Sequence, residues 1–280
     1  MNLQELVSNV QSLPPAPRVL VRLLEVVRNP DADSEHVLEV LQMDAALTAE
    51  IIRTANTVYF SSSTPVASLD EAVARLGYLE VYRMAARVPA GKMFSGAIDS
   101  MGLAAGELFE HSLACAIVAD ELGQRLDMES GVAYTTGLLH DIGKLVLHER
   151  CADQYEKVFT LIEAEQMTLI EAERTVMGFD HAEVGGALLQ HWKFPADIHN
   201  AVRFQYQPKA CPEPQFLAAS LLIANWAAGA LGCNHGRDIW AISIDDDVRR
   251  ITRLEPADIE LLIVNSTARL HAAVAAVSRV

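Results

Sequence analysis

In the stretch GLLHDIGKLVLHE, residues 137–149, His140 and Asp141 stand side by side at the end of an apolar run, with Lys144 one turn further on. Imidazole and carboxylate together suit a borderline or hard divalent ion such as Zn, Mn, Fe or Mg. Adjacent helical residues point about 100° apart, so such a pair shares one ion only near a helix end. Further ligands must then come from other helices. His111 lies 29 residues before His140 on a long helical stretch, and His181 lies 40 residues after Asp141, opening HAEVGGALLQHW. Gly185 and Gly186 in that segment allow close backbone approach. One divalent metal on His111, His140, Asp141 and His181 is the chemistry these residues suggest, with Lys144 placed to meet an anionic substrate oxygen. The alternative is a metal-free site in which His140 and Asp141 hydrogen-bond to each other in the core.

The elements that must position these residues are helical throughout. Pro14, Pro15 and Pro17 punctuate the N-terminal region, and Leu20, Leu23, Leu24 and Val27 then recur at helical spacing. Asp44 is suited to cap a helix whose apolar face holds Leu47, Ile51, Ile52 and Ala55. LDEAVARLGYLEVYRMAARV reads as two short helices broken at Gly77. A Gly- and Ser-rich stretch, residues 90–102, marks an internal boundary, which divides the chain into subdomains 1–97 and 98–280. Beyond it the pattern predicts helices over 104–127, 130–141, 152–165, 168–176, 180–192, 196–206 and 214–231. Residues 232–255 are less regular, and Pro256 opens a last helix reaching about residue 275. No period-two alternation persists, so the expected fold class is all-α.

Composition narrows the function. The 280 residues carry 22 basic and 37 acidic side chains, a net charge of −15. A surface this acidic repels a phosphate backbone, which disfavours general nucleic-acid binding. Cys115, Cys151, Cys211 and Cys233 are far apart, with no CxxC pair, and read as reduced thiols without a disulfide framework or zinc ribbon. The N-terminal residues are polar, without a signal-peptide core, and the most apolar span, FLAASLLIANWAAGALG, reads as a buried helix and not a membrane span. A cytoplasmic location is the resulting expectation.

Two blocks carry a family resemblance. LPPAPRVLVRLLEVVRNPDADSEHVLEVLQMDAALTAEIIRTANTVYF with SLDEAVARLGYLEVYRM, and LLHDIGKLVL with GFDHAEVGGALLQHWKFPADI, together resemble the HDOD family of the HD superfamily. The resemblance implies an N-terminal helical subdomain packed on an HD-like helical bundle, related to the HD-GYP cyclic di-GMP phosphodiesterases. It also implies a role in bacterial signalling. His111, His140 and Asp141 match the first ligands of the HD pattern, and His181 matches the histidine that HD-GYP proteins add in an HxxxG helix. Gln205 and Tyr206 stand where many relatives carry a His-His pair, and Asn225 stands where the last HD ligand is an aspartate. The GYP segment is absent.

These departures leave neutral, weak ligands in a site built for two metals, the arrangement that a phosphoryl-transfer clamp requires. The expected function is therefore a non-catalytic regulatory module acting through protein partners, with a degenerate metal site holding one divalent ion or none. A phosphohydrolase acting on a nucleotide or cyclic dinucleotide, with Lys144 steadying the phosphate, is the alternative. A nucleotide bound without turnover is a third, although no Gly-rich phosphate loop supports it.

Overall fold

The computed structural model describes residues 2–8, 10, 18–28, 34–57, 65–128, 131–212, 215–233 and 242–277; Pro14, Pro15 and Pro17 lie outside them. The described residues are helical, with no strand among them and one isolated bridge between Ile98 and Leu103. In chain order the helices are α1 (Leu3–Ser8), α2 (Arg18–Val27), α3 (Ser34–Gln42), α4 (Ala45–Ala55), α5 (Leu69–Leu76), α6 (Tyr78–Met93), α7 (Glu107–Arg125), α8 (Val132–Leu139), α9 (Ile142–Cys151), α10 (Tyr155–Glu165), α11 (Leu169–Met177), α12 (His181–His191), α13 (Ala196–Arg203), α14 (Gln215–Ala230), α15 (Asp246–Thr252) and α16 (Pro256–Val277). The chain forms two compact units, one of Pro15–Lys92 and one of Met1–Pro14 with Met93–Val280.

In the smaller unit most of the apolar positions of the sequence become buried, Leu20, Leu23 and Leu24 from α2, Leu41 from α3, and Leu47, Ile51 and Ala55 from α4, while Ile52 is half-buried. Asp44 caps α4, its carboxylate accepting from the Leu47 amide at 3.0 Å. Gly77 ends α5 at φ +79°, a backbone conformation costly for any residue with a Cβ. Helix α6 does not stop where the Gly- and Ser-rich stretch begins but runs through Pro89 to Met93. Its buried stripe, Tyr82, Ala85, Ala86 and Ala90, continues past the proline and holds the helix on.

The larger unit carries every candidate ligand. Helix α7 packs against α8, α14 and α16. It is enclosed on several sides, so it is buried almost all round and even Asp120 is 3 % exposed. Asp120 is paired with Arg269 of α16 at 2.5 Å, and Arg269 also reaches Glu121 at 3.1 Å. Helix α9 packs on α12, α12 on α13, and α13 on α8 and α14. The short α1 also packs on α12 and α9. Helix α14, the most apolar stretch, is buried except at positions such as Phe216 and Trp226. No helix among the described residues is long and apolar enough to cross a membrane. A short helix, α15, occupies part of the stretch that reads as irregular, capped by Asp245 on the Val248 amide.

Candidate metal centre

Glycine decides how closely the ligand-bearing helices meet. Gly137 of α8 crosses α7 with no room for a side chain: a Cβ there would lie 2.7 Å from the Cys115 carbonyl oxygen. Gly143 at the start of α9 lies against the backbone of His181 and Gly185, where a Cβ would fall on the His181 carbonyl oxygen. Gly186 lies likewise against α13, a Cβ there meeting the His199 carbonyl oxygen at 2.8 Å. These contacts bring together His111 in mid-α7, His140 and Asp141 in the break between α8 and α9, and His181 at the first position of α12.

His181 owes its place to a capping box. The Asp180 carboxylate accepts from the Glu183 amide at 2.8 Å, and Glu183 returns the bond to the Asp180 amide. Asp180→Ala is expected to destabilise the fold by about 1–2 kcal/mol, read as a lower urea midpoint with unchanged slope. An unchanged midpoint would mean that packing alone holds the start of α12.

The three candidate histidines converge on the Asp141 carboxylate. His140 Nε2 lies 3.5 Å and His111 Nε2 3.7 Å from Asp141 Oδ2, and His181 Nε2 lies 3.6 Å from Oδ1. Lys144 Nζ donates to Oδ2 at 2.8 Å. All are buried; His140, Asp141 and His181 are fully so. Each imidazole is oriented from behind: His111 Nδ1 donates to the Cys233 carbonyl at 2.8 Å, His140 Nδ1 to the Gly137 carbonyl at 2.7 Å, and His181 Nδ1 to Glu173 Oε2 at 2.8 Å. This is the outer-sphere arrangement that fixes the tautomer of a metal-binding histidine and leaves Nε2 facing the ion.

Three residues of this network carry no mark in the primary pattern. Glu173 of α11 also accepts from the His181 amide at 2.9 Å and from the Tyr155 hydroxyl at 2.7 Å, which satisfies a fully buried carboxylate. Cys115, one turn after His111 on α7, holds its Sγ 3.7 Å from His111 Nε2. Only the His111–Cys115 spacing of four residues was available as a signal.

A profile of the HDOD domain matches residues 13–208. The chain belongs to the HDOD domain family. Among solved structures this HDOD protein is similar to an HDOD domain protein of unknown function from Geobacter sulfurreducens, at 25% identity and a TM-score of 0.72 over 97% of this chain and 95% of that one. It is also similar to a candidate phosphohydrolase from Shewanella amazonensis SB2B, at 25% identity and a TM-score of 0.70 over 96% and 94% of the two chains. An uncharacterized protein of Treponema pallidum (strain Nichols) is 26% identical over 219 residues, 77% of this chain; the match spans 42% of that relative's length.

The donor set of this HDOD protein fits one divalent ion. The His140 Nε2 and Asp141 Oδ1 atoms are buried and have no hydrogen-bond partner, a costly state that a cation would relieve. His111, His140 and Asp141 would hold the ion, and Cys115 joins His111 and His140 in one tight group whose ligand atoms lie within 4.8 Å of one another. An ion held there supplies a fixed positive charge and Lewis acidity. His181 reaches the cluster but is engaged at both nitrogens, with Nε2 3.0 Å from the Tyr206 hydroxyl. The Gln205 amide, near the expected His-His pair, donates to the His140 carbonyl at 3.0 Å.

Electrostatics separate the histidines when no ion is bound. Burial, only partly offset by Asp141, pushes His140 down to about 4 and keeps it neutral. Burial also opposes the charge on His181, but the Glu173 carboxylate overrides it and holds His181 up at about 9. Asp141 stays ionised despite burial, because His140, Lys144 and His181 draw its pKa well below the carboxylate range. Burial, then Asp141, pushes the Cys115 thiol well up.

These shifts set a pH profile for the metal-free protein. His181 binds its proton more tightly folded than unfolded, so its contribution is complete below about pH 6.5 and fades as pH rises toward 9. His140 binds its proton less tightly folded, so its contribution is complete above about pH 6.5 and fades as pH falls toward 4. Stability is expected to peak near pH ~6.5, with each limb worth at most about 3 kcal/mol. Urea midpoints across the range check this, and His181→Gln is expected to flatten the alkaline limb. A profile that keeps rising to about pH 9 would contradict a protonated His181.

Proposed function

We propose that this HDOD protein is a regulatory module that acts through protein partners and not by turning over a phosphoester. The observation that carries the reading is the fate of the positions that complete a two-ion phosphohydrolase centre. Tyr206 is hydrogen-bonded to His181 Nε2, Gln205 is committed to the His140 backbone, and Asn225 brings a neutral amide where a carboxylate is needed. A clamp that balances the charge of an attacking and a leaving oxygen needs two ions and the anionic ligands to hold them. Lys144 is spent as well: it is 3 % exposed and paired with Asp141, so it does not face an incoming phosphate.

The phosphohydrolase name of the Shewanella neighbour favours the competing reading, and one experiment separates the two. The protein, supplied in turn with Mn2+, Fe2+ and Zn2+, is assayed on bis(p-nitrophenyl) phosphate and on cyclic dinucleotides. In parallel, His140→Ala, checked for folding by thermal melt, is tested for complementation of a deletion strain. No turnover above the metal blank, with complementation by a folded variant, is the expected result. Hydrolysis that vanishes in the folded His140→Ala variant, together with failed complementation, would overturn the proposal in favour of a hydrolase.

A further inference from the structure

We infer that Cys115 is a metal ligand, and that His111, Cys115, His140 and Asp141 form a closed four-donor site for Zn2+. The HD pattern assigns no ligand at this position. The inference starts from α7, where residues four apart lie on one face, so His111 and Cys115 project to the same side. Sγ lies 3.7 Å from His111 Nε2, and the ligand atoms of His111, Cys115 and His140 lie within 4.8 Å of one another. Asp141 Oδ2 is the fourth donor of the proposal, 3.7 Å from His111 Nε2 and 3.5 Å from His140 Nε2. Zinc bonds of about 2.0–2.3 Å place tetrahedral donors about 3.3–3.6 Å apart. The His111–Cys115, His111–Asp141 and His140–Asp141 edges exceed this by only a few tenths of an ångström.

Two further observations point to the ion. His140 Nε2, fully buried, has no hydrogen-bond partner and lies 3.5 Å from Asp141 Oδ2. Cys115 Sγ also reaches the Ala224 carbonyl at 3.8 Å, on the residue before Asn225. The thiol therefore sits beside the position where the HD pattern expects its last carboxylate, and it replaces the anion that Asn225 lacks. The Asp141 carboxylate is already paired with Lys144, so the thiolate supplies the added negative charge that the ion needs. The thiol proton passes to solvent when the Zn–S bond forms, as for any coordinating thiol. A sulfur donor selects Zn2+ over Mg2+ or Mn2+. Four protein ligands leave no open position for a water, so the ion is structural. This inference concerns the ligand set and stands whether or not the module acts through partners.

Cobalt substitution tests it without reference to activity. Protein stripped with a chelator and titrated with Co2+ is expected to bind one equivalent, with tetrahedral d–d bands and a near-ultraviolet thiolate-to-cobalt charge-transfer band. Cys115→Ser is expected to lose the charge-transfer band and to bind Zn2+ at least about tenfold more weakly, since even outer-sphere changes cost that much. Cys233→Ser should keep the band. X-ray absorption on zinc-loaded wild type, which needs no variant to fold, is expected to detect one sulfur among nitrogen and oxygen neighbours. A zinc shell of nitrogen and oxygen alone, a band that survives in Cys115→Ser, or no stoichiometric Co2+ binding would each overturn the assignment.

Discussion

Gly143→Ala is expected to destabilise the fold by at least about 3 kcal/mol, close to the largest effect one methyl group can have. The added carbon would fall on the His181 carbonyl oxygen and 2.6 Å from the Gly185 amide nitrogen. Both obstacles are backbone, so no side chain can rotate away, and α9 must part from α12. Parting them also draws Asp141 away from His181, so the variant should lose the ligand cluster before it loses helicity. For a unit of this size the thermal midpoint should drop by roughly 10 °C, and the urea midpoint should fall in step. Gly185→Ala serves as a calibrated comparison: its Cβ would approach Gly143 N and Val202 Cγ1 at 3.3 Å, and the cost should be nearer 1 kcal/mol. If Gly143→Ala lies within about 1 kcal/mol of wild type, the two helices do not meet as described.

Asp141→Ala is expected to cost about 3–5 kcal/mol, because it takes the carboxylate partner from a buried ammonium. Lys144 Nζ loses its partner at 2.8 Å, and the protonated His181 loses a neighbouring anion. Removing both members of the pair should be far milder than the sum of the two single changes. In a double-mutant cycle with Lys144→Met, the coupling between the two positions is expected to exceed about 2 kcal/mol. Equilibrium unfolding of the four proteins after chelation checks this. Additive single effects would mean that the pair contributes only as two separate side chains. The same Asp141→Ala variant should no longer retain a divalent ion, which elemental analysis reads directly.

The first effect follows from backbones distant in the chain and the second from a pair one turn apart, and that difference sets how much was legible beforehand. The helices were readable because their causes are local. Asp44 capping α4, the Leu20–Leu23–Leu24 stripe, and the stop at Gly77 each depend on neighbours within a turn or two. The continuation of α6 through Pro89 was not readable, because a proline argues locally for a break while a buried stripe on both sides of it carries the helix on. His140 and Asp141 stood out as candidate ligands by their types and their place at a helix end. Their convergence with His111 and His181 was only a matter of matching a family pattern until the helices were assembled.

The sequence by itself determined the helical class, the identity of the imidazoles and the carboxylate, and the losses at Gln205, Tyr206 and Asn225. Residue type and short-range periodicity suffice for the first two, and the losses are read against the family pattern. Tertiary structure alone decided that Glu173 keeps His181 charged and that the Cys115 thiol enters the cluster. Those outcomes depend on backbones brought into contact at Gly137 and Gly143, where the absence of one carbon sets how close two helices come, and no local pattern encodes that distance.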